Sequence, residues 1–155
     1  HNVGFVAIRY PRGTEKPIPE NIDFVSDTYD VYGKPDAKNI IVTYGRIFSH
    51  ACVARDRLVE EGKSFTVVKL NRIKPIDPDA VKAVLGAEKV FFFEEGIRNG
   101  GIGETFGDMI LESEFNKKYL LTAVNNEFVQ HASVSRLYEK YFLDADGMYK
   151  ICSEN

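Results

Sequence analysis

The stretch "EEGIRNGGIGETFG", residues 94–107, carries the densest set of residues that could do chemistry: two adjacent carboxylates, Glu94 and Glu95, followed by Gly100, Gly101 and Gly103. Glycines between a strand and a helix let backbone N–H groups approach a phosphate at the helix N-terminus. The spacing matches neither G-x-G-x-x-G nor the P-loop, and no Lys-Ser/Thr pair follows. The glycines are therefore read as a tight strand-to-helix turn that allows close helix packing. Adjacent strand residues point to opposite faces, so only one of the two glutamates can line a given cleft, and capping or holding the turn is the role assigned to them. A second stretch, "AIRYPRG" at 7–13, sets Arg9 and Arg12 around Pro11 and before Gly13. A stiffened backbone there could present a planar guanidinium fork to a phosphate or carboxylate, a contact worth roughly 1.5–3 kcal/mol. Two solvated arginines on a linker would explain the same residues.

Other candidates are weaker. "LDADG" at 143–147 lacks the third ligand and the terminal bidentate glutamate of a calcium loop, so Asp144 is read as an N-cap. "GDM" at 107–109 is not the Gly-Asp-Gly opening of a diphosphate–magnesium site, and no metal site is expected. His50 near a helix start and His131 after "NNEFVQ" have no assignable Ser or Cys nucleophile. They are read as surface or seam histidines. Cys52 and Cys152 lie far apart, at no metal-ligand or redox spacing, and are expected to be buried thiols.

These residues need elements to position them. Residues 3–10 could form a short strand. Prolines and glycines then punctuate the chain to about residue 36, a linker whose apolar Phe24, Val25, Tyr29, Val31 and Tyr32 predict that part of it docks as a hairpin or edge strand. From Asn39 the pattern becomes regular. "NIIVTYG" reads as a strand, then Ile47, Ala51, Ala54 and Leu58 mark an amphipathic helix closed by Gly62. "SFTVVKL" is a strand, and "PIDPDAVKAVLG" a short helix with Asp77 as N-cap, Pro78 at the first turn and Gly86 past its end. "KVFFFEE" reads as a strand covered on both faces. A helix to about Phe115, the strand "KYLLTAV", a helix from Ser133 with Leu137, Tyr141 and Phe142 inward, and a last helix from Asp144 complete the chain. Alternating strands and helices with short connections argue for an α/β fold: a mostly parallel sheet with helices on both faces.

Composition bounds the function. The 155 residues are 44% hydrophobic and 28% charged, enough for one domain with a sizeable core. A formal charge of −3, from 20 basic and 23 acidic residues without a block, gives no electrostatic footprint for nucleic acid. Apolar runs are short of the ~20 residues that span a bilayer, and no secretory signal opens the chain. A cytoplasmic protein without nucleic-acid or membrane partners is expected, and the opening at His1 without Met suggests a piece of something longer.

"AIRYPRG", "NIIVTYGRIFSHACVARDRLVEEG", "FTVVKLNRIKPID", "VFFFEEGIRNGGIGETF" and "NNEFVQHASVSRLYEKYFLDADGM" resemble, in that order, the C-terminal portion of the 1-deoxy-D-xylulose-5-phosphate synthase family, a branch of the transketolase-type thiamine-diphosphate enzymes. The resemblance covers nearly the whole chain apart from about 14–37. It implies a three-layer α/β/α domain with a five-stranded, mixed but mostly parallel sheet. It divides the chain into the last strand and seam of a pyrimidine-binding domain at 1–13, a linker at 14–37 and a transketolase C-terminal domain at 38–155. The implied reaction joins a two-carbon unit from pyruvate, after decarboxylation, to glyceraldehyde 3-phosphate, a step toward isoprenoids. Thiamine diphosphate and Mg2+ belong to the parent enzyme, held outside this chain by N-terminal and pyrimidine-binding domains, which are the implied partners within a homodimer. No catalytic residue is implied here. Arg12 matches the position that binds the phosphate of the aldehyde acceptor, with Arg9 the weaker, more structural candidate and His131 a seam residue.

Two departures stand out: Ala132 and Ser133 follow His131 where the family usually has glycine, and Gly96 follows the glutamates where these synthases more often carry asparagine. Other readings are another transketolase-like enzyme, one split into two subunits, or a stand-alone binding or assembly module.

Overall fold

The computed structural model describes residues 5, 7, 8, 18, 19, 22 and 26–155. The strand read at 3–10, Arg9, Arg12, Phe24 and Val25 lie wholly or partly outside the described residues. The elements are β1 (Tyr29–Tyr32), β2 (Asn39–Tyr44), a 3-10 turn (Gly45–Ile47), α1 (Phe48–Glu60), β3 (Phe65–Leu70), α2 (Pro78–Lys82), β4 (Lys89–Ile97), α3 (Ile102–Glu112), β5 (Lys118–Val124), α4 (Val134–Lys140) and α5 (Ala145–Glu154).

The sheet has five strands in the order β1-β3-β2-β4-β5. β2 pairs parallel with β3 and β4, β4 pairs parallel with β5, and only β1 runs antiparallel, along β3. This is the mixed, mostly parallel α/β sheet expected. β1 is the edge strand foreseen in the proline-punctuated segment, with Val31 left partly exposed. Tyr29 lies opposite Leu70 and Tyr32 opposite Val67, so the chain enters the sheet where β3 ends.

Strand periodicity splits the apolar residues between two cores. Ile41, Val67, Phe91 and Phe93 pack with α1, α4 and α5 on one face. Ile40, Val42, Val68, Val90 and Phe92 pack with α2 and α3 on the other. With both faces covered, the "VFFF" run at 90–93 is fully buried.

The caps follow the sequence closely. Asp77, Ser133 and Asp144 accept backbone hydrogen bonds from Asp79, Arg136 and Gly147. Gly62, with φ +81°, ends α1, its N–H donating to Val59 O at 2.9 Å. Two helices are shorter than expected. α2 stops at Lys82, and tight turns carry the chain through Val84 to Ala87; α3 stops at Glu112, before the positive-φ Glu114. Phe142 is not inward: it follows α4 at φ +58° and is exposed, while Tyr138 takes the buried position beside Tyr141. The i, i+3 spacing places Tyr138 and Tyr141 on one face, and the chain reverses after them. At the far end, α5 closes on the start of β5, where Lys118 Nζ donates to Asn155 Oδ1 at 3.0 Å. Both cysteines are free and buried, and desolvation pushes the Cys52 thiol up to about 12.

Close approach of α3 to the sheet depends on missing side chains. A Cβ on Gly103 would lie 2.3 Å from Leu121 Cδ1 and 3.0 Å from Phe92 Cδ1. Gly103→Ala should therefore cost about 1–3 kcal/mol by overpacking, with no change of fold, as read by urea unfolding of the intact protein.

Candidate functional site

In the order β1-β3-β2-β4-β5 the chain moves from β2 to β3 on one side and then crosses back to β4 on the other. The carboxyl ends of β2 and β4 therefore flank a topological switch point, the place where open α/β sheets bind ligands. β2 delivers Tyr44, Gly45 and Arg46 there; β4 delivers Glu94 and Glu95. Thr43 Oγ1 donates to Phe93 O at 2.9 Å and ties the two strands just below.

The adjacent glutamates do go to different faces. Glu94 is completely buried and lies under the glycine turn. Its Oε2 accepts from the Ile102 N–H at 3.0 Å and from the Tyr44 hydroxyl at 3.1 Å, and the Gly103 N–H also points at the carboxyl. A Cβ on Gly101 would lie 2.2 Å from Glu94 Oε1 and 2.7 Å from Ile97 O. The turn thus needs glycine at 101 because a carboxyl group fills that space. Gly100 holds φ +73°, and its N–H donates to Glu104 at 2.7 Å. The N-terminus of α3, the one place where the glycine pattern could have cradled a phosphate, is occupied by the chain's own carboxyl. Burial raises the Glu94 pKa, opposed by the hydrogen bonds from Tyr44, Gly103 and Ile102, while Glu104 nearby raises it further. Oε1 has no hydrogen-bond partner.

Glu95 turns toward the other core. Arg46 donates to it through Nε at 3.2 Å and Nη2 at 3.0 Å, a forked contact, and Tyr138 donates its hydroxyl to the same Oε1. The Arg46 guanidinium also lies 5.4 Å from the Tyr138 ring centre, and His50, read from the sequence as a surface or seam residue, is instead buried on α1 and packs edge-on to that ring at 5.5 Å. Burial first, then the bond to Glu95, raises the Tyr138 pKa. Beside this cluster is a cleft of about 150 Å³ between the end of β5 and α4, walled mainly by Val124, Val129, Val134 and Leu137.

The structure brings Glu94, Gly101 and Gly103 together, sends Glu95 to a separate cluster with Arg46 and Tyr138, and leaves His131 exposed in the loop before α4. Tyr44, Arg46 and Tyr138 were missed in the sequence. The usable signal for the first two was position, since "YGR" directly follows a buried strand at its carboxyl end. Nothing local marked Tyr138. Among the described residues, no three His, Cys, Asp or Glu side chains group to hold a metal ion, and no helix is long and apolar enough to cross a membrane. With the α3 N-terminus already filled by Glu94, the described residues do not fit a diphosphate–metal group.

Comparison with known proteins adds the parentage. Residues 31–148 match the family model for the transketolase C-terminal domain. The chain is similar to 1-deoxy-D-xylulose-5-phosphate synthases: 30% identical to that of Clostridium beijerinckii over 152 residues and 31% identical to that of Corynebacterium glutamicum over 152, in each case 94% of this chain and 24% of the relative. It therefore spans about a quarter of the length of these curated relatives. Among solved structures, a protein described as a split-gene transketolase, inactive β4 tetramer, superposes with a TM-score of 0.75 at 25% identity, covering 92% of this chain and 46% of that one.

The buried carboxyl gives a pH test. An acid whose folded pKa is raised binds its proton more tightly in the folded state, so its contribution is present at low pH and is lost as pH rises from the ordinary carboxylate value through the raised one. Glu94→Gln, which keeps an acceptor for Ile102 and Tyr44, should abolish that loss: its stability relative to wild type should increase with pH across this window. Glu94→Ala, which strands those donors, should be less stable by about 1–3 kcal/mol at acid pH, a deficit that narrows as pH rises through the same window. Denaturant midpoints measured from acid to neutral pH check both.

Proposed function

This chain belongs to the transketolase C-terminal domain family, and from that premise we propose that it is the C-terminal domain of a thiamine-diphosphate-dependent 1-deoxy-D-xylulose-5-phosphate synthase. The observation that carries the reading is similarity to such synthases along 94% of the chain. The whole enzyme would join the two-carbon unit of decarboxylated pyruvate to glyceraldehyde 3-phosphate, as a homodimer. Thiamine diphosphate would supply the carbanion chemistry, with its metal, from domains outside this chain. The described residues would act by packing: Glu94, with Gly101 and Gly103, fixes α3 against the sheet, and Arg46, Glu95 and Tyr138 hold the carboxyl end of β4 against α1 and α4.

Arg12, outside the described residues, would reach the acceptor's phosphate. Binding a remote phosphate orients the reacting carbonyl, so its role would be positioning. Arg9 would serve structure in the same turn, and His131 would face the seam. A second reading is a subunit or domain of another transketolase-type enzyme. The split-gene neighbour and the glycine at position 96 favour it.

Kinetics of the full-length protein with pyruvate and glyceraldehyde 3-phosphate test both. Arg12→Ala should raise KM for the phosphorylated acceptor about tenfold or more, the loss of one charge-assisted contact, and leave KM for pyruvate nearly unchanged. Equal effects on both substrates would assign Arg12 to folding or docking. Absence of deoxyxylulose phosphate, with activity on other sugar phosphates, would favour the second reading.

A further inference from the structure

We propose that the pocket between the end of α1 and the start of β3 binds a small phosphomonoester. It lies at the amino end of the parallel strands, remote from the switch-point crevice. The pocket has a volume of about 250 Å³, with Lys34, Arg55, Lys63 and Ser64 on its polar wall. Ala37, Val59 and Phe65 make the apolar wall. Three cations line it and no acid does, in a chain whose formal charge is −3. A phosphate ester brings close to two negative charges and three acceptor oxygens, and an organic part that an apolar wall can cover.

Arg55 is the fixed element. Its Nε donates to Phe65 O at 3.0 Å, its Nη1 donates to Asp56 at 2.9 Å, and the guanidinium lies 5.1 Å from the Tyr32 ring centre. Only 16% of the side chain is exposed. Among the described residues nothing accepts from Nη2, which is left to donate. Gly33, at φ +118°, lets the chain pass close to that nitrogen, since a Cβ there would lie 2.9 Å from it. A guanidinium already held in place loses little freedom when it takes an anion.

The lysines stand on turns fixed through their backbones. Lys34 O accepts from the Ala37 N–H at 3.3 Å and from the Thr66 hydroxyl. The N–H groups of Gly62 and Lys63 close the end of α1 on Val59 O and Leu58 O, at 2.9 and 3.0 Å. That closure matters, because free carbonyls at a helix end would repel an anion. Ser64 Oγ accepts from the Lys38 N–H at 3.1 Å, and its own proton remains to donate. Lys63 shares Glu61 with the Tyr149 hydroxyl in an exposed pair that a stronger anion can displace.

Lysine acylation of the full-length protein, mapped by peptide mass, reads this pocket locally, whatever phosphates bind elsewhere. With about 10 mM glycerol phosphate, Lys34 and Lys63 should react at least about fivefold more slowly relative to Lys82 on α2, whose side chain is 71% exposed, as one-site binding near or below about 2 mM requires. Acetate at the same ionic strength should slow them by less than about twofold. Lys34→Gln, which removes an exposed cation, should raise the glycerol phosphate concentration that half-protects Lys63 about tenfold, the loss of one charge-assisted contact. Protection no greater than that by acetate, or protection of Lys63 unchanged by Lys34→Gln, would overturn the proposal. Inorganic phosphate should protect more weakly than the ester, because nothing of it covers the apolar wall. Equal protection by the two would also overturn it, by assigning the pocket to an adventitious ion only.

Discussion

The domain is organised around one carboxyl group placed at the start of a helix. Glu94 leaves the end of β4, is sealed from solvent, and receives the N–H of Ile102 and the hydroxyl of Tyr44. Those contacts join three elements, β2, β4 and α3, at a single point. Burying a carboxyl is costly, and the helix N-terminus is one of few places in a protein where the cost is offset by donors and dipole together. Once α3 is drawn that close, Phe106 and Ile110 fill the core beneath it, and three positions at the turn and along the helix have no room for a side chain. Gly101 faces the carboxyl itself, Gly103 faces Leu121 and Phe92, and Gly107 faces the Tyr119 ring, where a Cβ would lie 2.9 Å away. The glycine pattern is a record of proximity.

The same constraint explains how two adjacent glutamates take unlike roles. Pairing between β4 and β5 shifts register between Phe93 and Ile97, so Glu94 and Glu95 fall in the irregular stretch where the strand leaves its ladder. One turns toward α3 and the other toward α1 and α4, and each finds a tyrosine: Tyr44 on one side, Tyr138 on the other. Both tyrosines donate to carboxyl oxygens, and both have raised pKa values that begin with burial. The carboxyl end of the sheet is thus fastened on both faces. Its anion-binding potential at the start of α3 is spent internally, on Glu94.

Much of the fold was legible because it rests on local signals. Short, near-continuous apolar runs gave the parallel strands, and Asp77, Ser133 and Asp144 announced three helix starts by hydrogen bonds made within three residues. Less legible was whatever depended on what happens after an element ends. Phe142 belongs to the helical pattern by spacing, yet the chain turns at positive φ and throws it outward. α2 runs out into successive tight turns although the apolar spacing continues to Leu85. At the candidate site, the glutamates and glycines were visible as a motif. The tyrosines and Arg46 were not, because Tyr138 meets Glu95 across 43 residues and Tyr44 meets Glu94 across 50, and no local pattern encodes such meetings.

The bond from Lys118 to Asn155 fixes the last helix beside the first residue of β5, at the amino end of the parallel strands. The chain thus comes into the sheet at one end and leaves the domain's surface at the other. A fluorescent or affinity handle attached after Asn155 would stand on the side away from the switch-point crevice, reporting on the domain without entering it. The domain is polar in the geometric sense, with the first strand entering at the carboxyl end of the parallel strands and the last helix closing at their amino end.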